Sequence, residues 1–335
     1  MVKTQKFVTV KRFEGEPKLS DLKIVEEELP PIKDGEFLCK AEWMSVDPYM
    51  RCEKNTSSLF ILLTMKLFPY RVIESKHPRF KVGQHVVGYF GWQTYSISDG
   101  NDCLLQGAKE HYVVPDLQGQ PLSLALGVLG MPGNTAYFGL LEICKPKEGE
   151  TVVVTGAAGA VGSLVGQIAK IKGCRAIGFA GSDTKCKWLK DELKFDAAFN
   201  YKKVCVKDAL KEAAPNGVDC YFDNVGGQIS SDIILHMNPN GRIAVCGAIS
   251  SYNDEEAPKV TAIQLPMIVH QLKMEGFVVH RWNSRWNEGI MQNLQWIKEG
   301  KLKYSETITK GFENMPNAFI GMLRGENVGK AIVKI

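Results

Sequence analysis

The chain has 335 residues, enough for two domains of ordinary size, and its composition of 44% hydrophobic and 23% charged residues is that of a globular protein. Its formal net charge of +4 is small for this length, and no block of basic residues stands out, which argues against a nucleic-acid partner. The longest apolar run, Leu59–Leu63, is far shorter than the roughly 20 residues that a membrane helix needs. Because Met1–Val10 also lacks a secretory apolar core, we expect a cytoplasmic protein without a membrane partner.

The nine cysteines indicate a reducing compartment. Their number is odd and no two are spaced as Cys-x-x-Cys, so neither a disulfide framework nor a zinc ribbon is predicted. We expect free, mostly buried thiols.

The first third of the chain contains short β-like runs separated by glycine and proline. These runs are Lys6–Lys11, Phe37–Trp43, His85–Phe90 and His111–Val114. Such a pattern predicts a small, mostly antiparallel β domain, here over residues 1–127.

From about Pro132 apolar strands alternate with amphipathic helices, which is typical of a parallel sheet with crossover helices. The predicted strands are Thr151–Thr155, Arg175–Ala180, Ala197–Tyr201, Cys220–Asn224, Arg242–Cys246 and Met274–Val279. The predicted helices are Ala160–Lys172, Thr184–Leu193, Val204–Ala213, Ile229–Met237 and Thr261–Leu272. Six strands with five crossovers predict an α/β fold with a doubly wound, six-stranded parallel sheet (Rossmann fold) over residues 128–300. Residues 301–335, with a final strand Ala331–Ile335, are predicted to return to the first domain.

A glycine-rich loop follows the first of these strands. Gly156, Gly159 and Gly162 have the spacing G-x-x-G-x-x-G, a relative of the dinucleotide-binding fingerprint. In that motif the first glycine permits a tight turn, the second lets the backbone approach a pyrophosphate, and the third lets the helix pack closely. The phosphates would then lie at the N-terminus of the following helix.

The end of the second strand distinguishes NADP from NAD. An NAD site places a carboxylate there to bind the ribose hydroxyls, whereas this strand ends in small residues, followed by Lys185 within one helical turn. A missing negative charge and an added positive one favour a 2′-phosphate, and so NADP(H). Asp183 is either a displaced ribose-binding acid or the N-cap of the next helix.

No zinc site is predicted. Serine stands at Ser45, where a zinc-dependent alcohol dehydrogenase would have its first cysteine ligand, and the six histidines show no ligand spacing. Without a metal, the charge that develops during hydride transfer needs another stabiliser. A carbon–carbon double bond conjugated to a carbonyl meets this need, because the charge delocalises onto an oxygen that hydrogen-bond donors can hold.

Ligands of open α/β sheets lie beyond the carboxyl ends of the strands, which directs attention to three residues. Asn224 either binds a cofactor group or simply belongs to an Asn-x-Gly-Gly turn. Tyr252 is the phenol of these loops and a candidate proton donor, or else it only covers apolar surface. Tyr201 either stacks on the adenine side of the cofactor or belongs to the core.

Seven motifs in order along the chain resemble the prostaglandin reductases, a family of zinc-independent medium-chain dehydrogenases/reductases. They are Val46–Arg51, Gly130–Tyr137, Ala157–Gly162, Asp223–Gly227, Cys246–Ser250, Gly311–Pro316 and Asn327–Lys330. The resemblance implies a GroES-like catalytic domain and a homodimer joined near Thr261–Val279. It also implies NADPH-dependent reduction of 15-oxo-prostaglandins and of small enals and enones, and slower NADP-dependent oxidation of an allylic leukotriene alcohol.

The resemblance also implies roles for individual residues. Tyr252 becomes the preferred catalytic tyrosine, acting through the ribose hydroxyl of the nicotinamide. The pyrophosphate would lie on the loop of Ala158, Gly159, Ala160 and Val161, and the 2′-phosphate on Lys185 near Tyr201. The remaining implied cofactor contacts are Pro48, Met131, Thr135, Asn224, Cys246, Gly247, Ala248, Ile249, Ser250, Ser251, Phe277, Val278, Val279 and Asn327.

One segment departs from the family pattern. Cys52–Tyr70 is unusually apolar where the family has a polar segment, and this stretch is expected at the rim of the substrate cleft. The difference bears on the choice of substrate. Two alternatives therefore stay open: a zinc-free quinone oxidoreductase, and a protein that binds NADPH without turnover.

Overall fold

The computed structural model describes residues 2–51, 67–101 and 111–335. The apolar run 59–63, and residues 52–66 of the segment that departs from the family, lie outside this range. The chain forms two compact units, one of Met1–Gly127 with Glu306–Ile335 and the other of Val128–Ser305.

The first unit is built from ten strands within the described residues. These are β1 Val2–Thr9, β2 Leu22–Leu29, β3 Phe37–Ala41, β4 Trp43–Ser45, β5 Leu67–Ser75, β6 His85–Tyr89, β7 Tyr95–Ser98, β8 Tyr112–Val113, β15 Glu306–Lys310 and β16 Lys330–Lys334. They form an antiparallel sheet of order β7-β3-β5-β6-β8, a hairpin of β1 and β2, and a small sheet of order β15-β16-β4. The prediction of a mostly antiparallel β architecture is confirmed.

Several details of this unit differ from the prediction: β1 covers Val2–Thr9 rather than Lys6–Lys11, and β5, β7 and β15 were not predicted. The predicted strand Phe37–Trp43 is two strands, because the chain leaves one sheet after Ala41 and enters another at Trp43. Strand β2 went unpredicted because its three consecutive glutamates conceal the strand pattern. They are accommodated on an antiparallel pair with β1, where Lys6 forms an ion pair with Glu27.

The second unit contains the predicted six-stranded parallel sheet. Its strands are β9 Thr151–Thr155, β10 Arg175–Ala180, β11 Ala197–Asn200, β12 Val218–Asp223, β13 Met237–Val245 and β14 Lys273–Gly276, in the order β11-β10-β9-β12-β13-β14. The chain moves from β9 outward to β11 and then returns to start again at β12. The strand order therefore reverses between β9 and β12, the place where such sheets bind ligands.

The described helices cover this sheet and the C-terminal part of the first unit. They are α1 Met131–Phe138, α2 Gly162–Ile171, α3 Asp183–Asp191, α4 Val206–Ala213, α5 Gly227–Ile234, α6 Gln264–Val269, α7 Trp286–Lys298 and α8 Met315–Leu323. None of the helices in the described part of the chain is long and apolar enough to span a bilayer. The seven described cysteines are free thiols, and five of them are buried.

Several predicted boundaries of the second unit are wrong by three residues or more. The predicted helix Thr261–Leu272 is only the six-residue α6, since Gln271 adopts a left-handed backbone (φ 50°) that ends it. The predicted last strand stops at Gly276, where the chain turns and Phe277 packs its ring on Phe222 and Trp282. Strand β13 begins at Met237, so the helix predicted to reach that residue ends earlier, at Ile234.

A buried histidine makes the first unit sensitive to acid. His111 is 1% exposed, its Nε2 accepts the N–H of Tyr89, and its Nδ1 therefore donates to Ser98 Oγ. Burial lowers the pKa of His111 to about 4, so the folded ring stays neutral while an unfolded chain takes up a proton. We expect stability to fall by about 2 kcal/mol between pH 7 and pH 5 on this account. Urea denaturation at both pH values measures the loss, and a His111→Asn variant should show a smaller pH dependence.

Candidate active site

The glycine loop has the close backbone packing that its spacing predicts. Gly156 has a φ of 59°, a conformation that favours glycine, and it turns the chain at the end of β9. A Cβ atom at Gly162 would lie 2.4 Å from the carbonyl oxygen of Gly156 and 2.8 Å from Cα of Ala157. A Cβ at Gly159 would lie 3.2 Å from the same oxygen. Only glycine leaves this backbone where it is.

Helix α2 begins directly behind this loop. It starts at Gly162, two residues later than predicted, and its first turn carries no charged side chain. The positive end of the helix dipole therefore faces the end of β9 without a local carboxylate to neutralise it. The loop from Ala158 to Val161 lies at this end of the helix, and its binding of a pyrophosphate stays a prediction.

The N-cap of α3 is Ser182 rather than Asp183, which corrects one of the two interpretations of Asp183. Ser182 Oγ accepts the N–H of Lys185 at 3.3 Å, and Asp183 is the first residue of the helix. The carboxylate of Asp183 accepts hydrogen bonds from Asn200 Nδ2 at 2.8 Å and from Lys203 Nζ at 2.5 Å. The hydrogen bond from Lys203, with that from Asn200, lowers the pKa of Asp183. The charge of Asp183 is therefore already compensated.

A cationic cluster lies at the ends of β10 and β11. A Cβ at Gly181 would lie 3.5 Å from the Tyr201 hydroxyl and 3.7 Å from Cε of Lys202, so these groups converge on one point. Burial lowers the pKa of Lys185, and the nearby charge of Lys202 lowers it further. An anion beside both lysines, such as a 2′-phosphate, would stabilise their charged forms. Lys202 was absent from the sequence prediction, although its position directly after Tyr201 at a strand end could have indicated it.

A buried carboxylate organises the ends of β9 and β12. Asp223 is 3% exposed, and its Oδ1 accepts the hydroxyl of Thr155 at 3.1 Å and the N–H groups of Val225 and Gly226, both at 2.9 Å. Its Oδ2 accepts the hydroxyl of Ser230 at 2.6 Å. Four hydrogen bonds to one carboxylate hold the turn that carries the neighbouring residue, Asn224.

Asn224 has a structural contact. Its Nδ2 donates to the carbonyl oxygen of Thr155 at 2.8 Å, and its backbone N–H donates to the Thr155 hydroxyl at 3.1 Å. These bonds join the ends of β9 and β12, the two strands at which the sheet order reverses. The contact accounts for an asparagine in the turn, and binding of a cofactor group by the same side chain stays a prediction.

The loop from Cys246 to Tyr252 is tied to the same strand ends. The N–H groups of Cys246 and Gly247 both donate to the carbonyl oxygen of Asp223, at 2.8 and 3.1 Å. The Tyr252 hydroxyl oxygen accepts the N–H of Ala248 at 3.1 Å, so the phenol folds back over its own loop. Burial raises the pKa of Cys246 to about 12, and its thiol is therefore neutral at physiological pH.

The other predicted cofactor residues fall into two groups. Thr135 is buried in α1, where its hydroxyl donates to the carbonyl oxygen of Met131 at 2.8 Å. Phe277 and Val278 follow the edge strand, Val278 is 67% exposed, and Val279 is buried. Pro48 and Asn327 belong to the first unit instead. The second unit thus brings most predicted residues to the carboxyl edge of its sheet; Ile249, Ser250 and Ser251 form a short 3-10 turn there.

Within residues 2–51, 67–101 and 111–335, no three His, Cys, Asp or Glu side chains are grouped to hold a metal ion.

This fold and this loop define a class of protein. A doubly wound sheet opening on Gly156–Gly162, in a chain with a separate antiparallel β unit, is the architecture of the medium-chain dehydrogenases/reductases. Two family models match the chain: the N-terminal domain of oxidoreductase over residues 5–105 and zinc-binding dehydrogenase over residues 160–296.

Full-length relatives place the chain more closely. It is 50% identical to prostaglandin reductase 1 of Bos taurus, with 100% of both chains covered. It is 36% identical to the NADPH-dependent curcumin reductase of Escherichia coli (strain K12), covering 99% of this chain and 97% of that one. The crystal structure of CurA in complex with NADPH from Vibrio vulnificus superposes with a TM-score of 0.89 at 37% identity, covering 98% of each chain. The chain belongs to the prostaglandin reductase 1 family, and it is an NADP(H)-dependent oxidoreductase.

Proposed function

We propose that this oxidoreductase reduces the carbon–carbon double bond of α,β-unsaturated ketones and aldehydes, including the 13,14 double bond of 15-oxo-prostaglandins. The observation that carries the proposal is the 50% identity, over both full lengths, with a protein named prostaglandin reductase 1. Oxidation of the 12-hydroxyl of a leukotriene with NADP is a second activity of the same site. The compartment we propose is the cytoplasm.

In the proposed reduction, the main tasks of the protein are to bind cofactor and substrate and to stabilise the charge that develops. Bound NADPH supplies a hydride to the β carbon of the substrate. The negative charge that develops on the carbonyl oxygen then needs hydrogen-bond donors, and the α carbon needs a proton. Tyr252 is the residue we assign to this proton route, either as the donor or by holding a ribose hydroxyl, because its oxygen is oriented by the N–H of Ala248 at the strand end.

The cofactor residues follow from the carboxyl edge of the sheet. The loop from Ala158 to Val161 would hold the pyrophosphate at the N-terminus of α2, and Lys185 would hold the 2′-phosphate. We add Lys202 to this second set, because its side chain lies beside Gly181 together with the Tyr201 hydroxyl, and its charge lowers the pKa of Lys185.

Removing the lysine pair should change the preference between cofactors. We expect Lys185→Ala and Lys202→Ala each to raise the KM for NADPH about 10-fold or more, because a hydrogen bond between charged groups is worth roughly 1.5–3 kcal/mol. The KM for NADH should stay the same, since NADH has no 2′-phosphate. Steady-state kinetics with both cofactors measures this. Lys190→Ala, on the exposed side of α3, is the matched control, and an equal rise for both cofactors would refute the assignment.

The proposed reaction is tested by following NADPH oxidation with a 15-oxo-prostaglandin and with a medium-chain enal, and by identifying the product. A saturated ketone or aldehyde as product supports the proposal, and a Tyr252→Phe variant then tests the proton route. Turnover of quinones alone would support the quinone oxidoreductase alternative. NADPH binding without turnover on any of these substrates would favour the non-catalytic alternative.

The partner we propose is a second copy of the chain. Strand β14 is an edge of the six-stranded sheet, and apolar side chains beside it are exposed: Leu265 by 71%, Ile268 by 74% and Val278 by 67%. Water-exposed apolar groups in one place mark an interface. We expect Ile268→Asp to shift the protein from dimer to monomer in sedimentation velocity. The control is Val82→Asp, which introduces the same charge at an exposed valine (63%) of the first unit, and a monomeric wild-type protein would overturn the proposal.

A further inference from the structure

The first unit contains a buried ion pair that joins the motifs Val46–Arg51 and Asn327–Lys330. Lys330 Nζ lies 3.0 Å from Asp47 Oδ1, and the two side chains are only 4% and 5% exposed. The same ammonium group donates to the carbonyl oxygens of Val46 at 2.6 Å and of Ala331 at 2.9 Å. Each of the three N–H groups of the ammonium therefore has an acceptor. Burial lowers the pKa of Lys330, and the carboxylate of Asp47 opposes that shift.

Stability alone is a poor reason for such a pair. Removing two charges from water costs about as much as their attraction returns, and well-packed apolar side chains often stabilise a core equally well. What an ion pair adds is direction, because each hydrogen bond has a required length and angle. The pair therefore fixes the geometry of the chain segments that carry Asp47 and Lys330.

The segment that carries Asp47 leads directly into the short 3-10 turn Pro48–Arg51. Upstream of the turn, Ser45 Oγ donates to the second carboxylate oxygen of Asp47, and Val46 N–H donates to the carbonyl oxygen of Ala331 at 3.1 Å. At the downstream end, Arg51 Nη2 donates to the carbonyl oxygen of Gly15 at 2.6 Å. The turn is therefore held on both sides.

The first residue of the turn transmits the position of Asp47. Proline has a fixed φ and no N–H, so the direction in which Pro48 leaves Asp47 depends on how the Asp47 backbone is held. Lys330 holds that backbone through the Val46 carbonyl and that side chain through the carboxylate.

We propose that Lys330 and Asp47 are a positioning pair that sets the Pro48–Arg51 turn for the reaction. This inference rests on the proposed function, for which Pro48 is one of the predicted cofactor residues. The pair makes no contact with substrate or cofactor in this proposal; it acts through the turn, and a small displacement of a group beside the reacting atoms is enough to slow turnover.

The test compares one charge removal with two. Lys330→Met leaves a lone buried carboxylate and should lower the Tm. The double variant Lys330→Met/Asp47→Leu has no unpaired charge and should recover most of the loss in Tm. Its kcat with the enal, normalised to the concentration of NADPH-bound enzyme, should stay about 10- to 100-fold below that of the wild type. The Kd for NADPH should change less than about twofold, because the pyrophosphate and 2′-phosphate residues all belong to the second unit.

Two further variants complete the design. Lys334→Met removes the same charge from the exposed end of β16 and should leave kcat unchanged. Asp47→Asn keeps the side-chain volume and should lower kcat several-fold at an unchanged NADPH Kd, so the inference stays testable even if the double variant does not fold. Wild-type kcat in the double variant or in Asp47→Asn would overturn the inference alone. A wild-type protein that turns over no enal or enone would overturn the proposed function, and the inference with it.

Discussion

Replacing Gly162 with alanine is expected to raise the Kd for NADPH on the order of 10- to 100-fold. The added Cβ would lie 2.4 Å from the carbonyl oxygen of Gly156, and backbone atoms cannot yield as the end of a flexible side chain can. Forcing an extra methyl group into a packed site costs about 1–3 kcal/mol, which corresponds to that change in affinity if the loop moves to relieve the clash. Fluorescence titration with NADPH measures the effect.

The matched control is Gly276→Ala. A Cβ at Gly276 meets no atom within 4 Å, and its backbone is not in the left-handed region, so this substitution should leave the Kd unchanged. If the loop binds the pyrophosphate, a shift of its backbone must change the Kd for NADPH. Equal Kd values for wild type and Gly162→Ala would therefore show that the loop does not bind the pyrophosphate.

Replacing Asp223 with alanine should destabilise the second unit by roughly 3–5 kcal/mol, because each buried donor left without an acceptor costs about 1–3 kcal/mol. The substitution leaves two backbone N–H groups and the hydroxyls of Thr155 and Ser230 without their acceptor. Urea denaturation measures the change in the free energy of unfolding. NADPH affinity should fall as well, because the turn carrying Asn224 loses its support.

The control for this second prediction is Asp208→Ala. Asp208 is 72% exposed and forms only a surface ion pair with Lys211, so the expected change is within about 0.5 kcal/mol. If Asp223→Ala fell in the same narrow range, the carboxylate would not be organising the strand ends. The Asp223→Asn variant should lie between the two, since it keeps an acceptor oxygen but loses the charge.

The glycine loop and the parallel sheet were predictable because their signals are local. Gly156 and Gly162 are required by a backbone φ and by packing within seven consecutive residues. The strand count was visible because buried parallel strands are continuous apolar runs, such as Val152 to Val154, whose identity does not depend on their neighbours.

Apolar periodicity could not distinguish a buried helix from an exposed one. The segment Thr261–Leu272 was predicted as a full helix on its apolar residues, yet only Gln264–Val269 is helical, and Ile268 and Val269 are 74% and 63% exposed. The same residue types serve a core and an interface, because both remove apolar area from water. The apolar pattern predicts that these residues are buried, but it does not indicate which surface covers them.

The N-cap of α3 shows the limit at the scale of one residue. Ser182 and Asp183 are both good N-cap residues, and their order in the chain favours neither. Asn200 and Lys203 decided the matter by engaging the Asp183 carboxylate, which left Ser182 Oγ to accept the N–H of Lys185. Both partners lie in a later strand and turn, so the competition is settled only once α3 packs beside β11.

By itself, then, the amino-acid sequence determined the antiparallel β architecture of the first unit and the parallel sheet of the second. It also determined the choice of NADP(H) and the loop that would bind the pyrophosphate. Each of these depends on residue types or on backbone conformation within a short stretch of the chain. Tertiary structure alone decided which charges meet. Lys330 and Asp47, Lys185 and Lys202, and Lys203 and Asp183 are brought together by strand pairing and by loop closure. An electrostatic interaction falls off with distance in space and is indifferent to distance along the chain, so no spacing in the sequence records it.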